Sequence, residues 1–202
     1  MSDLKLHARA PLDGLVEPGR FGAVMMKPGL IIEQRTDLAL ATLIARRGEM
    51  QNLRRAIATA FDLALPERPH VVTKDGVSFA GIGIGKWIAA AEGAAAVGYV
   101  ARLRAHLTGL ASIADQSDGR VVLRLSGERV RQVLATGIAL DLHPRKFKTG
   151  DIASTIISQM SVQIQQLNDQ PTYQLTAFRS FAGGLLSWLT KSAAQFGYEI
   201  AH

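Results

Sequence analysis

The glycine run between Ala80 and Trp87 is the first segment whose residue types could bind a phosphate. Glycines let backbone N–H groups approach an anion, and Lys86 would supply a positive charge. A P-loop, however, needs a glycine where the chain has Ala80 and a hydroxyl residue where it has Trp87. The dinucleotide fingerprint needs its third glycine one place after Gly85. We therefore predict a strand–turn–strand junction here.

The five histidines lack the spacing of a metal site or a catalytic relay. No two of them lie at the separations that would place ligands on one helix or one turn. They are His7, His70, His106, His143 and His202. The chain has no cysteine, which removes disulfides, thiolate nucleophiles and cysteine zinc sites. We predict no catalytic, cofactor-binding or metal-binding residue.

Three aspartates, Asp115, Asp118 and Asp141, cluster around the ends of predicted strands. General acid–base chemistry needs such a group near the reacting atoms. The segment DQSDGR, which ends at Arg120, has instead the composition of a tight turn, in which Asp side chains accept backbone hydrogen bonds and Gly relaxes the chain. We expect these aspartates to cap turns rather than to catalyse.

The charge pattern suggests an acidic partner. The net charge is +6 and the isoelectric point about 10.0, but most basic residues form scattered pairs, which are typical of a solvated helix face. We therefore expect no nucleic-acid binding. Arg145, Lys146 and Lys148 form a denser patch, and with Arg120 they are the candidate contacts to carboxylates on another protein. The mean hydropathy of +0.12 is slightly high for a soluble monomer, so we expect a partner to cover some of the apolar surface.

No segment has the pattern of a signal peptide or of a membrane span. Charged residues between Asp3 and Arg9 interrupt the place where an apolar signal core would lie. The most apolar stretch, residues 77–101, is broken by Lys86 and Glu92. Together with the lack of cysteine, this pattern favours a cytoplasmic protein that binds no membrane.

Helices and strands are predicted from hydrophobic periodicity. Four segments have the amphipathic helical period, and Ser126 and Ser180 could cap the last two. The helical segments are residues 50–64, 100–110, 130–134 and 181–196. Short alternating segments between them predict strands. The strand segments are residues 29–34, 77–84, 87–91, 121–125, 152–157, 162–167 and 173–178. The periodicity of Leu38–Ala45 fits either another strand or the start of a helix.

Strands that arrive in pairs between single helices predict an α+β fold. We expect a two-layer sandwich in which helices cover one face of a mostly antiparallel sheet, as in split βαβ folds. Residues 1–28, rich in proline and glycine, predict an extended N-terminal arm that gains order on a partner. Residues 29–202 would form a single domain, or two fused subdomains at 29–110 and 111–202. The expected core includes Leu53, Ile57, Phe61, Leu103, Leu107, Leu123, Leu125, Val133, Leu185, Trp188 and Leu189.

The order of motifs from Ala114 to Phe147 is specific. An Asp-x-Ser-Asp-Gly turn leads to a strand, a Ser-Gly helix start and then Asp-Leu-His-Pro-Arg. This order resembles that of the sarcosine oxidase gamma subunit family. The resemblance continues through RSFAGGLLSWLTKSAAQFG at 179–197 and, upstream, TDLALATLIARRGE at 36–49 and LALP at 63–66, which implies that Leu38–Ala45 is a strand. The GIGIGKW segment differs from the family's usual Gly-Pro and acidic turn.

The same region resembles, more distantly, the first part of the folate-dependent glycine cleavage T-protein, which implies a T-protein-like fold. That pattern contains an aspartate that orients the reacting amine. Here no acidic residue lies between Asp151 and Asp169, and Gln163, Gln165 and Gln166 occupy the stretch. A neutral amide can neither take up a proton at pH 7 nor stabilise a cation by charge. The resemblance thus implies a fold kept without its catalytic carboxylate.

The family resemblance implies a non-catalytic, structural gamma subunit of heterotetrameric sarcosine oxidase, with alpha, beta and delta subunits as partners. Such a complex oxidatively demethylates sarcosine to glycine and passes the one-carbon unit to tetrahydrofolate. FAD, FMN, NAD, zinc and tetrahydrofolate would then be bound by the other subunits and not by this chain. Two alternatives stay open: a gamma-like subunit of a related N-methyl amino acid dehydrogenase, and a stand-alone folate-binding module.

Overall fold

Two β-sheets form the framework of this α+β chain, whose computed structural model describes residues 9–201. The strands are β1 Gly19–Phe21, β2 Leu30–Gln34, β3 Leu38–Ala45, β4 Val71–Lys74, β5 Val77–Gly83, β6 Lys86–Glu92, β7 Ala111–Asp115, β8 Arg120–Ser126, β9 Ile152–Ile157, β10 Met160–Asn168, β11 Thr172–Phe178 and β12 Tyr198–Ile200. The helices are α1 Met50–Phe61, α2 Tyr99–Leu107, α3 Val130–Ala135 and α4 Ala182–Ala193. Single 3₁₀ turns lie at Gly93–Ala96, Arg179–Phe181 and Ala194–Phe196.

The large sheet has seven strands in the order β1-β12-β2-β8-β11-β10-β9, and only the β12–β2 pair is parallel. Its central strands alternate, so that Val121, Leu123 and Leu125 of β8 lie on one face. Helices α3 and α4 cover that face and complete the larger hydrophobic cluster. Among residues 9–201, no helix covers the opposite face of this sheet.

The small sheet has five antiparallel strands in the order β4-β5-β6-β3-β7. Helices α1 and α2 cover one face, where Leu53 and Leu103 pack against Phe79 and Trp87. The Trp87 indole N–H donates to the carbonyl oxygen of Pro66 at 2.9 Å, which ties the loop after α1 to the sheet. Segment 38–45 is confirmed as a strand, β3, and it is paired on both sides.

The two sheets meet through their helix-free faces at what we call the sheet joint. Val71, Ala80 and Ile152 form a small separate hydrophobic cluster there. The backbone N–H of Val71 donates to the carbonyl oxygen of Gly150 at 2.7 Å, which links β4 to the end of the loop before β9. The helices therefore lie on the outside of the pair of sheets, and a cleft opens between the sheets beside the joint.

The α+β class and the mostly antiparallel strand pairing are confirmed, with two sheets where one was expected. Two predicted helix caps are wrong. Helix α3 begins after Arg129 and α4 after Phe181, and neither has a side-chain capping bond. Ser126 instead ends β8, and Ser180 lies in the 3₁₀ turn that leads into α4.

The predicted core is buried except for two aromatic residues. Phe61 and Trp188 are half-buried, each packed against the rim of a cluster. Four strands of three to five residues were missed, because so short a segment shows no period. They are β1, β4, β7 and β12.

Part of the predicted arm is held by the chain itself. Leu12 is buried in the large core, β1 pairs with β12, and the N–H of Ala23 donates to the carbonyl of Ala194 at 2.8 Å. Residues 1–8 of the arm, with His7, and also His202 lie outside the described residues.

The large core draws on Leu12, on β2 and on residues 121–200, while the small core draws on residues 41–111. The arm at residues 1–28 and the division into subdomains at 110/111 stay predictions.

Replacement of Gly127 should destabilise the chain sharply. Gly127 has a φ of +115°, and a Cβ built there would lie 2.5 Å from the backbone oxygen of Gly29. We expect Gly127→Ala to lower the free energy of unfolding by at least about 3 kcal/mol, because backbone strain and a backbone overlap add.

Gly48→Ala is the matched control, since Gly48 also has a positive φ of +81° but nothing within 4 Å of its Cβ position. Its effect should be about 1 kcal/mol from strain alone. Denaturant unfolding of both variants measures the difference, and equal losses would contradict the proposed overlap.

Candidate functional site

Three of the predicted contact residues lie on one exposed loop, residues 141–151, between α3 and β9, here called the basic loop. Arg145, Lys146 and Lys148 are exposed on it. Phe147 anchors the loop, because its buried ring stacks on Tyr173 with the ring centroids 6.5 Å apart.

Aspartates hold the backbone of the basic loop. Asp141 accepts the N–H of His143 at 3.0 Å, and Asp151 accepts the N–H of Lys148 at 2.9 Å. Within residues 9–201, none of the ion pairs includes the three cations of the loop. Their charge is therefore presented outward on a fixed backbone.

Arg120, the fourth predicted contact, lies elsewhere. Its guanidinium is 4.0 Å from the ring centroid of Phe178, and burial lowers the pKa of Arg120 from its ordinary value. Phe178 and Tyr173 are at opposite ends of β11, about 17 Å apart at the usual rise per residue. The structure thus separates Arg120 from the basic loop. Arg120 instead lines a groove of about 360 Å³ together with Arg9, Arg35 and Arg179.

The aspartate turn before β8 is confirmed as a turn. Asp115 accepts the N–H of Ser117 at 3.0 Å and its hydroxyl at 2.7 Å. The hydroxyl of Ser117 in turn accepts the N–H of Leu40 at 3.1 Å, so the turn is attached to β3. The backbone hydrogen bond from Ser117 lowers the pKa of Asp115. Asp118 is exposed at the tip.

The glycine run is confirmed as the junction of strands β5 and β6. The turn passes through Ile84 and Gly85, where Gly85 has a φ of +67°. The side chain of Ile84 is fully exposed at the tip.

The three glutamines of β10 are divided between the two faces of the large sheet. Gln166, 1% exposed, accepts the hydroxyl of Tyr173 at 3.4 Å and donates to the carbonyl of Asn168 at 3.2 Å. Arg131 donates to the same hydroxyl at 2.9 Å. Gln165 points the other way, into the cleft. The buried amide thus both accepts and donates a hydrogen bond, whereas an ionised carboxylate in its place could not donate to the carbonyl of Asn168.

The cleft between the sheets encloses about 640 Å³. Its polar wall is a row of paired residues, Arg124, Gln174 and Gln165, on the helix-free face of the large sheet. The small sheet supplies a mixed wall, in which Leu38 and Ala90 lie beside Thr73, Ser78 and Glu92. The alternating pattern of a strand predicts which sheet face each of these residues lies on. It does not predict that the two faces lie opposite each other, because that depends on the sheet joint.

An ion-pair group at one end of the cleft was not predicted. Arg35, nearly buried, bonds Asp37 at 2.7 Å and Glu92 at 2.8 Å. The hydrogen bond to Asp37 is the main cause that raises the pKa of Arg35 above its ordinary value. The three charges connect the chain after β2 with the end of β6.

A second unpredicted pair lies at the sheet joint. Nδ1 of His70 is 3.3 Å from Oδ1 of Asp151, and Arg68 approaches the same oxygen at 3.6 Å. The partners are 81 residues apart in sequence, so spacing gave no signal. Over residues 9–201 the structure has no cluster of three metal-ligating side chains, and no helix there is long and apolar enough to span a membrane.

Comparison of the structure with solved proteins shows a shared fold. A chain of the heterotetrameric sarcosine oxidase from Corynebacterium sp. U-96, in complex with pyrrole 2-carboxylate, matches with a TM-score of 0.79 and 22% identity over 94% of this chain and 96% of that one. The aminomethyltransferase T of the Bartonella henselae glycine cleavage system matches with a TM-score of 0.61 and 13% identity. That match covers 87% of this chain and 48% of the transferase. The expected T-protein-like fold is confirmed.

Sequence comparison reaches the same group of proteins. The sarcosine oxidase subunit gamma of Corynebacterium sp. (strain P-1) is 29% identical over 147 residues, which cover 71% of either chain. The model of the sarcosine oxidase gamma subunit family matches residues 48–195, which include the aspartate turn, the basic loop and all four helices. The chain belongs to the sarcosine oxidase gamma subunit family.

Proposed function

We propose that the chain is the structural gamma subunit of a heterotetrameric sarcosine oxidase and contributes no catalytic group of its own. The family match over residues 48–195 carries this proposal. The ionisable groups described above support it, because they stabilise the fold. Asp115 and Asp141 hold turns, and Asp151 ties the basic loop to the sheet joint.

The reaction of the complex takes place in the neighbouring subunits on this proposal. The complex oxidises sarcosine to glycine and passes the one-carbon unit to tetrahydrofolate in the cytoplasm. The alpha, beta and delta subunits bind FAD, FMN, NAD, zinc and tetrahydrofolate. The absence of cysteine from this chain is consistent with zinc bound elsewhere.

Two surfaces are proposed to hold the neighbours. The basic loop faces carboxylates of a larger subunit, and Arg145 contributes most because a guanidinium can form two parallel hydrogen bonds to a carboxylate. The arm supplies an apolar tip, since Val24 and Met26 are almost completely exposed although the chain on both sides is bonded to residues 194–197. Apolar side chains so exposed are stabilised when a partner covers them.

The inter-sheet cleft favours a second candidate, a stand-alone folate-binding module. Its volume of about 640 Å³ is in the range of small-molecule sites, and its polar row could orient a ligand. Calorimetry with tetrahydrofolate on the purified chain separates the two functions. We expect no heat of binding; saturable binding by a monomer that Arg124→Ala abolishes would favour the folate module.

Reversal of the charge at Arg145 should weaken assembly. We expect Arg145→Glu to reduce co-purification with the other subunits by about tenfold at low salt, with a smaller difference at moderate salt, because screening reduces both attraction and repulsion. Arg47→Glu is the matched control, since Arg47 is also exposed and the change in net charge is equal.

Equal assembly of the wild type and the Arg145 variant would place the interface elsewhere. If the wild-type complex turns over N-methylglutamate rather than sarcosine, the chain is the gamma-like subunit of an N-methyl amino acid dehydrogenase. Both amines should therefore be assayed with the purified complex.

Loss of the Asp115 carboxylate should affect stability and not catalysis. Asp115→Ala removes two hydrogen bonds, which at this exposed turn contribute about 1 kcal/mol to the free energy of unfolding. Because the folded-state pKa is lowered from 3.8, this stabilisation is complete above that value and is lost as pH falls through the lowered pKa. Turnover by the assembled complex should stay within a few fold.

Asp118→Ala is the control for the turn, since it removes an exposed carboxylate from the same segment. Denaturant unfolding near neutral and acid pH gives the stability difference, and steady-state assays give turnover. Abolished turnover in an intact Asp115→Ala complex would make the structural role wrong.

A further inference from the structure

The four strands at the edges of the sheets differ in how they are protected. Natural proteins shield edge strands by making them short or by placing charges on them, because unpaired backbone groups invite another strand. Strand β1 has three residues, among them Arg20; β4 has four and ends in Lys74; β7 ends in Asp115. Strand β9, IASTII, has six residues with no charge and no proline. Its isoleucines and threonine also have high β-propensity.

The register shows which backbone groups of β9 point outward. Ser158 and Gln159 join β9 to β10 with φ values of 45° and 71°, the signature of a two-residue type I′ turn. The flanking pair, Ile157 and Met160, is therefore hydrogen-bonded, and such pairs recur at every second residue. At the other end of the strand, the N–H of Gln166 donates to the carbonyl of Asp151 at 3.1 Å, which agrees with counting by two residues from the Ile157–Met160 pair.

The N–H and C=O groups of Ser154 and Ile156 consequently point away from β10. The start of β9 is closed, because Val71 bonds Gly150 and Ile152 is buried in the sheet joint. Beyond it the edge is open: Ser154 is exposed and Ile156 is 62% exposed. Within residues 9–201 no backbone group outside the sheet bonds either residue.

A row of side chains leads from this open edge across the helix-free face of the large sheet. Ile156 pairs with Ser161, and the register of β10 and β11 places Phe178 next in the row, paired with Arg120. Phe178 is 46% exposed, and the Arg120 guanidinium lies over its ring. Ile156 is the member of this row that borders the edge, because Phe178 lies two strands away, at about 10 Å, and Arg120 lies three strands away.

We propose that an extended strand of another subunit of the complex docks on β9 and continues the large sheet. Two N–H and two C=O groups at Ser154 and Ile156 would bond its backbone, as in other cases of strand addition. Its side chains on the helix-free face would cover Ile156. This inference rests on the proposed function, because it names the mode of contact between subunits.

Proline at position 154 tests the backbone contact. The N–H of Ser154 points away from β10, so Ser154→Pro removes an outward donor and leaves the existing ladder paired. We expect it to reduce recovery of the complex by about tenfold on co-expression with the other subunits. Ser154→Ala is the matched control, because it removes the same side chain but keeps the N–H, and it should assemble within about twofold of wild type.

Ile156→Lys gives an independent test that leaves the backbone intact. Its side chain is mostly exposed, so the free chain should keep its thermal unfolding temperature, while a charge on the edge should impair docking as Ser154→Pro does. Hydrogen exchange gives a direct readout: the amides of Ser154 and Ile156 should exchange freely in the isolated chain and be protected in the complex.

Three outcomes would overturn the inference. Full assembly of both Ser154→Pro and Ile156→Lys, or unprotected amides at 154 and 156 in the complex, would show that the edge stays open. A dimer of the isolated chain that Ser154→Pro dissolves would identify the occupant as a second copy of this chain. Failure of the wild-type chain to assemble with any other subunit would instead overturn the proposed function, which keeps the two failures distinguishable.

Discussion

The position of one sheet against the other depends on a close backbone contact at Gly150. Its carbonyl accepts the N–H of Val71, and the ring of His70 lies so close that a Cβ on Gly150 would be 2.5 Å from it. Asp151 bonds His70 and, on the other side, the backbone of Lys148. One short segment therefore links the two sheets, closes one end of β9 and fixes the basic loop.

This arrangement turns both helical layers outward and the helix-free faces inward. The cleft lining is polar on the large sheet and mixed on the small one, so the faces enclose a cleft rather than a continuous core. The small cluster at Val71, Ala80 and Ile152 is buried. The cleft beside it is open to solvent, to a ligand or to another subunit.

The surface left uncovered is consistent with a subunit that acts through contacts. The basic loop presents three cations, the arm presents Val24 and Met26, and β9 presents unpaired backbone groups beside Ile156. These features lie on separate elements and differ in chemistry: charge, apolar area and backbone hydrogen bonding. Contacts of different kinds at separate places can fix the orientation of a subunit without a single large interface.

Periodicity by itself determined the four helices, the longer strands and most of the core, because those segments bury one face and their apolar residues recur accordingly. It also determined that the glycine run and the aspartate segment are turns, and the motif order gave the family. Only the tertiary structure decided that β3 pairs with β6 on one side and β7 on the other, that Ser126 and Ser180 cap nothing, and that Arg120 lies away from Arg145. The tertiary structure also decided the pairing of His70 with Asp151 and the way in which the two sheets face each other. These features depend on contacts between residues far apart in the chain, which no local pattern of residue types encodes.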